Sequence, residues 1–191
     1  MMASVSNHKR HDNDKGNTVT TGWQLKRGIL SYIVPAMLLS AMLTGTAAAQ
    51  TVGASGNSLP RFVAMSASKA NLRTGPGRQY PVDWVYMRRG LPLEIIDEHG
   101  AWRKVRDHEG VEGWMLVSLL YGKRTVMIRS KQRNLLDEPK LGAPVVIIAD
   151  PGVIGEIDQC QGLWCEVVIN GESGWIERRH VWGVYSTEDI N

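Results

Sequence analysis

With 191 residues the chain has room for one or two domains, and its two cysteines, Cys160 and Cys165, stand in one short segment. The formal charge of +3 belongs wholly to the first 49 residues, which hold five bases and two acids; from Gln50 onward 17 basic residues meet 17 acidic ones. A balanced body argues against nucleic acid or an anionic membrane as general partner, because both rely on excess positive charge.

The leader comes first. Lys26 and Arg27 form a basic flank, the 19 residues from Gly28 to Thr46 are apolar or small, and Ala47-Ala48-Ala49 precede Gln50 as a small-residue cleavage site. Residues 1–49 read as a secretory signal peptide. The rival is an uncleaved anchor, because the run approaches the roughly 20 residues that span a bilayer; Pro35 and the alanines suit a signal better. Either way the remainder is exported, to the periplasm or held on the inner membrane facing it, and the membrane is a partner only through an uncleaved leader. The polar residues 1–22 lengthen the basic region unusually, which fits translation starting at a later methionine. Residues 50–60, QTVGASGNSLP, are small and polar without periodicity and read as a linker.

Short strands follow. Arg61–Met65 makes a first one. Ala70, Leu72 and Thr74 then alternate with Asn71 and Arg73, the period of two that sets one side of a strand on a core and the other in water. Gly75-Pro76-Gly77 reverses the chain, the glycines being read as free to take positive φ. Further strands run over Val82–Met87, Leu91–Ile95, Trp102–Arg106 and Val111–Met115, and Val117–Leu120 closes the unit with tight helix. Turns every eight to twelve residues describe an all-β barrel or sandwich.

The stretch Asn71, Leu72, Arg73, Gly75, Pro76 and Tyr80, with Gly90, Trp102, Lys104, Val105, Gly113 and Trp114 after it, resembles the bacterial SH3-like domain family. That resemblance implies a small SH3-like β-barrel over residues 61–122. A second copy, residues 123–191 with a C-terminal tail, answers it: Asn134-Leu135 repeats Asn71-Leu72, Gly152 repeats Gly90, Trp164 repeats Trp102, and Gly174-Trp175 repeats Gly113-Trp114. Four landmarks recurring at a near-constant offset mark a tandem duplication. The second copy lacks the hinge, reading Leu136-Asp137-Glu138-Pro139 where the first has Arg73-Thr74-Gly75-Pro76. Trp182 and Tyr185 lie in a tail expected to pack.

Cys160 and Cys165 flank Gly162, so paired strands around that turn would close a disulfide in an exported compartment, worth roughly 2 kcal/mol by chain entropy. A redox pair fits less well, because the spacing is not C-x-x-C. His99, His108 and His180 fall in turns and tail, without metal-ligand spacing. No H-E-x-x-H, G-x-S-x-G or phosphate-cradling loop is present in the sequence. The reading is non-catalytic, with no catalytic residue, metal or cofactor assigned.

Aromatics are the better lead, since Trp84, Tyr86, Trp102, Trp114, Trp164, Trp175, Trp182 and Tyr185 are too many for two small cores. The resemblance implies an aromatic-lined groove for extended peptide, with Tyr80, Trp84 and Trp102 as its residues. Arg88, Arg89, Arg103, Lys104 and Arg106 form the one basic concentration; alternation splits it between faces, which favours charged strand surface over an anion site. The functional expectation is an exported binding or adaptor protein for cell-wall peptide or an envelope protein. Its alternatives are a structural envelope protein with no open groove and an unrecognised wall hydrolase.

Overall fold

A computed structural model describes residues 51–191; the leader expected over residues 1–49 lies outside the described residues. The chain opens with strands β1 (Thr51–Val52) and β2 (Ser58–Leu59), which pair with each other antiparallel. This corrects the linker reading of residues 50–60. Such short strands cannot show a period, and what holds this hairpin is distant in sequence: Ser55 donates from its N and Oγ to the Glu98 carboxylate, and Leu59 is buried in the first core.

Repeat 1 then supplies β3 (Arg61–Met65), β4 (Ala70–Arg73), β5 (Val82–Tyr86), β6 (Pro92–His99), β7 (Trp102–Arg106), β8 (Glu112–Leu116) and β9 (Leu120–Tyr121). A 3-10 turn over Val117–Leu119 joins the last two, where tight helix was expected. Repeat 2 supplies β10 (Thr125–Ile128), β11 (Arg133–Leu136), β12 (Val145–Ala149), β13 (Ile154–Gln161), β14 (Trp164–Ile169), β15 (Glu172–Glu177) and β16 (Val181–Trp182). The two seven-stranded antiparallel sheets have the same order, β5-β4-β8-β7-β6-β3-β9 and β12-β11-β15-β14-β13-β10-β16. The all-β, duplicated architecture is therefore present strand for strand.

Alternation decides what each strand shows to the core. On β4 Ala70 and Leu72 are buried while Asn71 and Arg73 turn outward; on β7 Arg103 and Val105 are buried while Trp102, Lys104 and Arg106 turn outward. Met65, Leu72, Leu93, Ile95, Val105 and Met115 fill the first core, and Val126, Ile128, Leu135, Val167 and Ile176 the second. Burying each large aliphatic contributes roughly 1.5–3 kcal/mol, which so small a unit needs in full.

The repeats are fused rather than strung together. Met127 and Ile154 of repeat 2 join the core of repeat 1, and Thr125 Oγ1 donates to the Gly90 carbonyl at 2.8 Å. The tail packs, too. Phe62 of β3 meets Trp182 edge-on at 5.1 Å and Tyr185 at 4.7 Å between ring centroids. Trp182 Nε1 donates to the Pro92 carbonyl and Tyr185 OH to Glu94, so both polar tips are satisfied. Glu188 binds Arg124, and Ile190 bridges to Cys160, which covers the outer edge of β13.

Candidate functional site

The outward residues of β4 and the start of β7 wall a cleft in repeat 1. Asn71 and Arg73 come from β4, Trp102 opens β7, and Leu116 and Leu119 close the far side at the 3-10 turn. The hinge folds back over β4 because Arg73 Nη1 donates to the carbonyls of Arg78 (3.2 Å) and Tyr80 (2.7 Å). That returns Arg78 to the cleft mouth beside Lys69, around an open volume of about 390 Å³.

Gly75 and Gly77 do not take the positive φ expected of them. Close approach requires glycine at Gly75, where a Cβ would run into the Tyr80 ring; at Gly77 a Cβ would meet only the movable end of the exposed Gln79 side chain.

Repeat 2 carries the same cleft, again about 390 Å³, on equivalent residues. Asn134 stands for Asn71 and Trp164 for Trp102, but Leu136, Leu141 and Gln132 occupy the places of Arg73, Arg78 and Lys69. Glu177 and His180 replace Leu116 and Leu119. Hydrogen bonds from Arg179 hold the Glu177 carboxyl below the usual carboxylate range, against the opposing effect of burial. Burial and the Arg133 charge lower the His180 pKa, outweighing the raising effect of Glu177. The first cleft thus has three cations and no acid in its lining; the second mixes both signs with exposed leucine.

The three aromatics expected to share a groove are separated. Trp102 is half-buried and lines the cleft. Tyr80 lies across Gly75, and Trp84 stands on β5 at 53% exposed; neither lines that cleft, because Trp84 is on the sheet's edge strand and the hinge turns Tyr80 onto its own glycine. Trp84 belongs instead to an apolar edge with Val82, Val85 and Met87, and repeat 2 has its counterpart in Val145, Val146 and Ile148 on β12. The basic concentration also divides: Arg103 lies 3.2 Å from Glu98, Lys104 2.8 Å from Glu112, and Arg106 3.1 Å from Glu112. Arg88 and Arg89 line a separate hollow beside Ile154 and Glu156.

Cys160 and Cys165 form a disulfide between directly opposed residues of β13 and β14. Among the described residues no cluster of three or more His, Cys, Asp or Glu side chains is placed to hold a metal ion. Sequence reading missed Lys69 and Arg78 as cleft residues. Their signal is faint: Lys69 immediately precedes β4, and strand alternation does not carry through the hinge to Arg78.

Residues 66–122 and 129–183, more than half the chain, match the bacterial SH3 domain family. Over 84 residues the chain is 34% identical to the probable cell wall amidase LytH of two Staphylococcus epidermidis strains, covering 44% of this chain. It spans 26% of the length of those relatives. Among solved structures, NlpC1 from Trichomonas vaginalis aligns over 75% of this chain and 50% of its own, with 12% identity and a TM-score of 0.33. An NlpC/P60 family protein from Bacillus cereus aligns over 68% and 58%, with 14% identity and a TM-score of 0.30. The repeated N-L motif, the paired tryptophans and two matching sheets agree with the family match: this chain belongs to the bacterial SH3 domain family, in tandem.

Proposed function

We propose that this protein is an exported, non-catalytic binding protein that recognises cell-wall peptide and acts as an adaptor in the envelope. The observation that carries the reading is the duplicated cleft, open in both repeats and walled each time by an outward tryptophan and an asparagine. An extended peptide can lay its body on the indole while the amide meets its backbone. Similarity to a probable cell wall amidase supports the wall as the place of action. The apolar, basic-flanked leader supports export, with the periplasm as the compartment.

Co-sedimentation of the protein with purified peptidoglycan sacculi tests this. Trp102→Ala and Trp164→Ala together should cut retention at least tenfold with the circular dichroism of the fold unchanged, the loss typical of a buried aromatic anchor. Wild-type protein that stays in the supernatant, or retention indifferent to both changes, refutes it. Peptides released from the sacculi by the protein alone would overturn its non-catalytic part.

A second reading has its own observation. The exposed apolar edges of β5 and β12 are open to an added strand, which favours a protein partner in the envelope. Crosslinked capture of one envelope protein with no retention on sacculi would select it.

A further inference from the structure

We infer that the cleft of repeat 1 selects a carboxylate carried on a peptide, and that the cleft of repeat 2 does not; the inference rests on the binding role above and names its ligand chemistry.

The other cations of repeat 1 are mostly spoken for. Arg61 and Arg103 face Glu98, and Lys104 and Arg106 face Glu112. Lys69 and Arg78 have no hydrogen-bond or ion-pair partner for their side chains among the described residues, and both are exposed at the mouth of the cleft. Arg73 commits Nη1 to the hinge carbonyls, and its other side-chain nitrogens make no bond among the described residues. Two guanidinium groups and an ammonium therefore gather at one opening with no acid in its lining to neutralise them.

Guanidinium forks match a planar carboxylate with paired donors, and each charge-assisted bond is stronger than a neutral one. The cleft behind them is not a bare cationic surface. Trp102, Leu116 and Leu119 give it an apolar wall, and Asn71 can both donate to and accept from a peptide group. Such a site suits an anionic end joined to an apolar or peptidic body. A free phosphate would use the cations and leave the wall empty.

Repeat 2 is the internal control. The same strands build a cleft of the same size with Gln132, Leu136 and Leu141 in the three cationic places; its own cations, Lys131 and Arg133, stand at other positions and share the lining with the Glu177 carboxylate. Glu177 additionally places a carboxylate, paired with Arg179, where Leu116 stands in repeat 1, so an incoming anion meets an acid in place of an apolar wall. The duplicated frame thus presents two chemistries on one molecule.

The test is calorimetric titration of the purified full chain with N-acetyl-trialanine, with its C-terminal amide and with inorganic phosphate. The acid should bind at least tenfold more tightly than the amide, weaken as salt rises, and bind more tightly than phosphate. The double variant Lys69→Gln/Arg78→Leu places the second cleft's side chains at two of the three cationic positions of the first; it should lose most of the preference for acid over amide while its unfolding curve is unchanged. Arg73 is kept because it pins the hinge. Equal binding of acid and amide, tighter binding of phosphate, or an unaltered preference in the double variant overturns the inference. If sacculi still retain the protein when the probe preference is absent, the binding role stands and only the selectivity falls. Loss of sacculus binding by the wild type removes both.

Discussion

The two repeats bury one cross-strand position in unlike chemistry. On the β6–β7 hairpin Glu98 faces Arg103; on the β13–β14 hairpin the equivalent residues are Cys160 and Cys165. One repeat closes its hairpin with an ion pair, the other with a covalent bond. A second position differs in the same direction: Tyr86 OH donates to the buried Asp107 at 2.8 Å, whereas the matching residues of the second repeat are Ala149 and Ile169. Burial and that bond keep the Tyr86 phenol protonated. Repeat 1 is therefore held by a polar network that needs every partner, and repeat 2 by apolar packing and a crosslink. The ends of the chain follow suit. The β1–β2 hairpin seals Glu98, and Ile190 of the tail seals Cys160.

A pair of glycines breaks the comparison most sharply. Gly122 has open space where a Cβ would stand, but Gly183, its counterpart in the second repeat, has φ near +119° and a Cβ there would strike the Thr125 carbonyl. The neighbours there are the backbone of Thr125 and Val126 and the Pro92 side chain, none of them the end of a flexible side chain. Gly183→Ala should cost more than about 3 kcal/mol in urea unfolding, and Gly122→Ala no more than about 0.5 kcal/mol. Equal effects would mean the two turns are not the different structures described.

The ion cluster comes next. Burial pushes the Glu98 carboxyl up, but hydrogen bonds from Arg61 and from Ser55 N and Oγ, with the Arg61 charge, outweigh it and hold it at about 2. A depressed acid stabilises fully above its ordinary value near 4.5 and loses that contribution as pH falls toward 2. Glu188, held down by Arg124 against burial, weakens the tail in the same direction. Repeat 2 has a disulfide at the Glu98 position, and a disulfide has no such pH dependence. Hydrogen-exchange protection factors, referred to the intrinsic rate at each pH, should fall on β6–β7 before β13–β14 as pH drops from 5 to 2. Glu98→Gln should abolish that difference and cost about 3 kcal/mol, since it leaves Arg103 without its buried counter-charge. Simultaneous loss of protection in both hairpins would show that the cluster is not what holds repeat 1.

Reduction of Cys160–Cys165 is the matching perturbation of repeat 2. Releasing so short a loop should cost about 2 kcal/mol, read as a lower urea midpoint in dithiothreitol. The ion cluster of repeat 1 supplies no thiol, so a Cys160→Ala/Cys165→Ala variant should be blind to reductant.

How far these contrasts could be read from residues alone depends on their range. The duplication was legible because Asn71, Trp102 and Gly113-Trp114 recur with near-constant spacing, and each landmark acts on its immediate neighbours in the chain. The disulfide was legible for the same reason. The N-terminal hairpin was not, since its anchor, Glu98, lies far along the chain at the end of β6. Nor was the cleft membership of Lys69 and Arg78, because a hinge re-aims the chain in a way that period two does not describe. The family resemblance implied Tyr80 and Trp84 as groove residues; the sheet order puts Trp84 on an edge strand and the hinge puts Tyr80 against Gly75.

The smallest expected effect on stability is the most informative about function. Leu141 is 79% exposed at the place Arg78 holds in repeat 1. A side chain so open to solvent contributes little to folding, so Leu141→Arg should shift unfolding by no more than about 0.5 kcal/mol. Its consequence for the cleft should be larger. A guanidinium then stands beside Trp164 in the frame that repeat 1 uses, opposed by Glu177, so binding of N-acetyl-trialanine by repeat 2 should strengthen but stay below that of repeat 1. Adding Glu177→Leu should close much of the remaining gap, because it restores the Leu116 side chain of the first cleft. If neither change moves the affinity, the clefts share a shape but not a mode of recognition, and the cations of repeat 1 act on solvent alone.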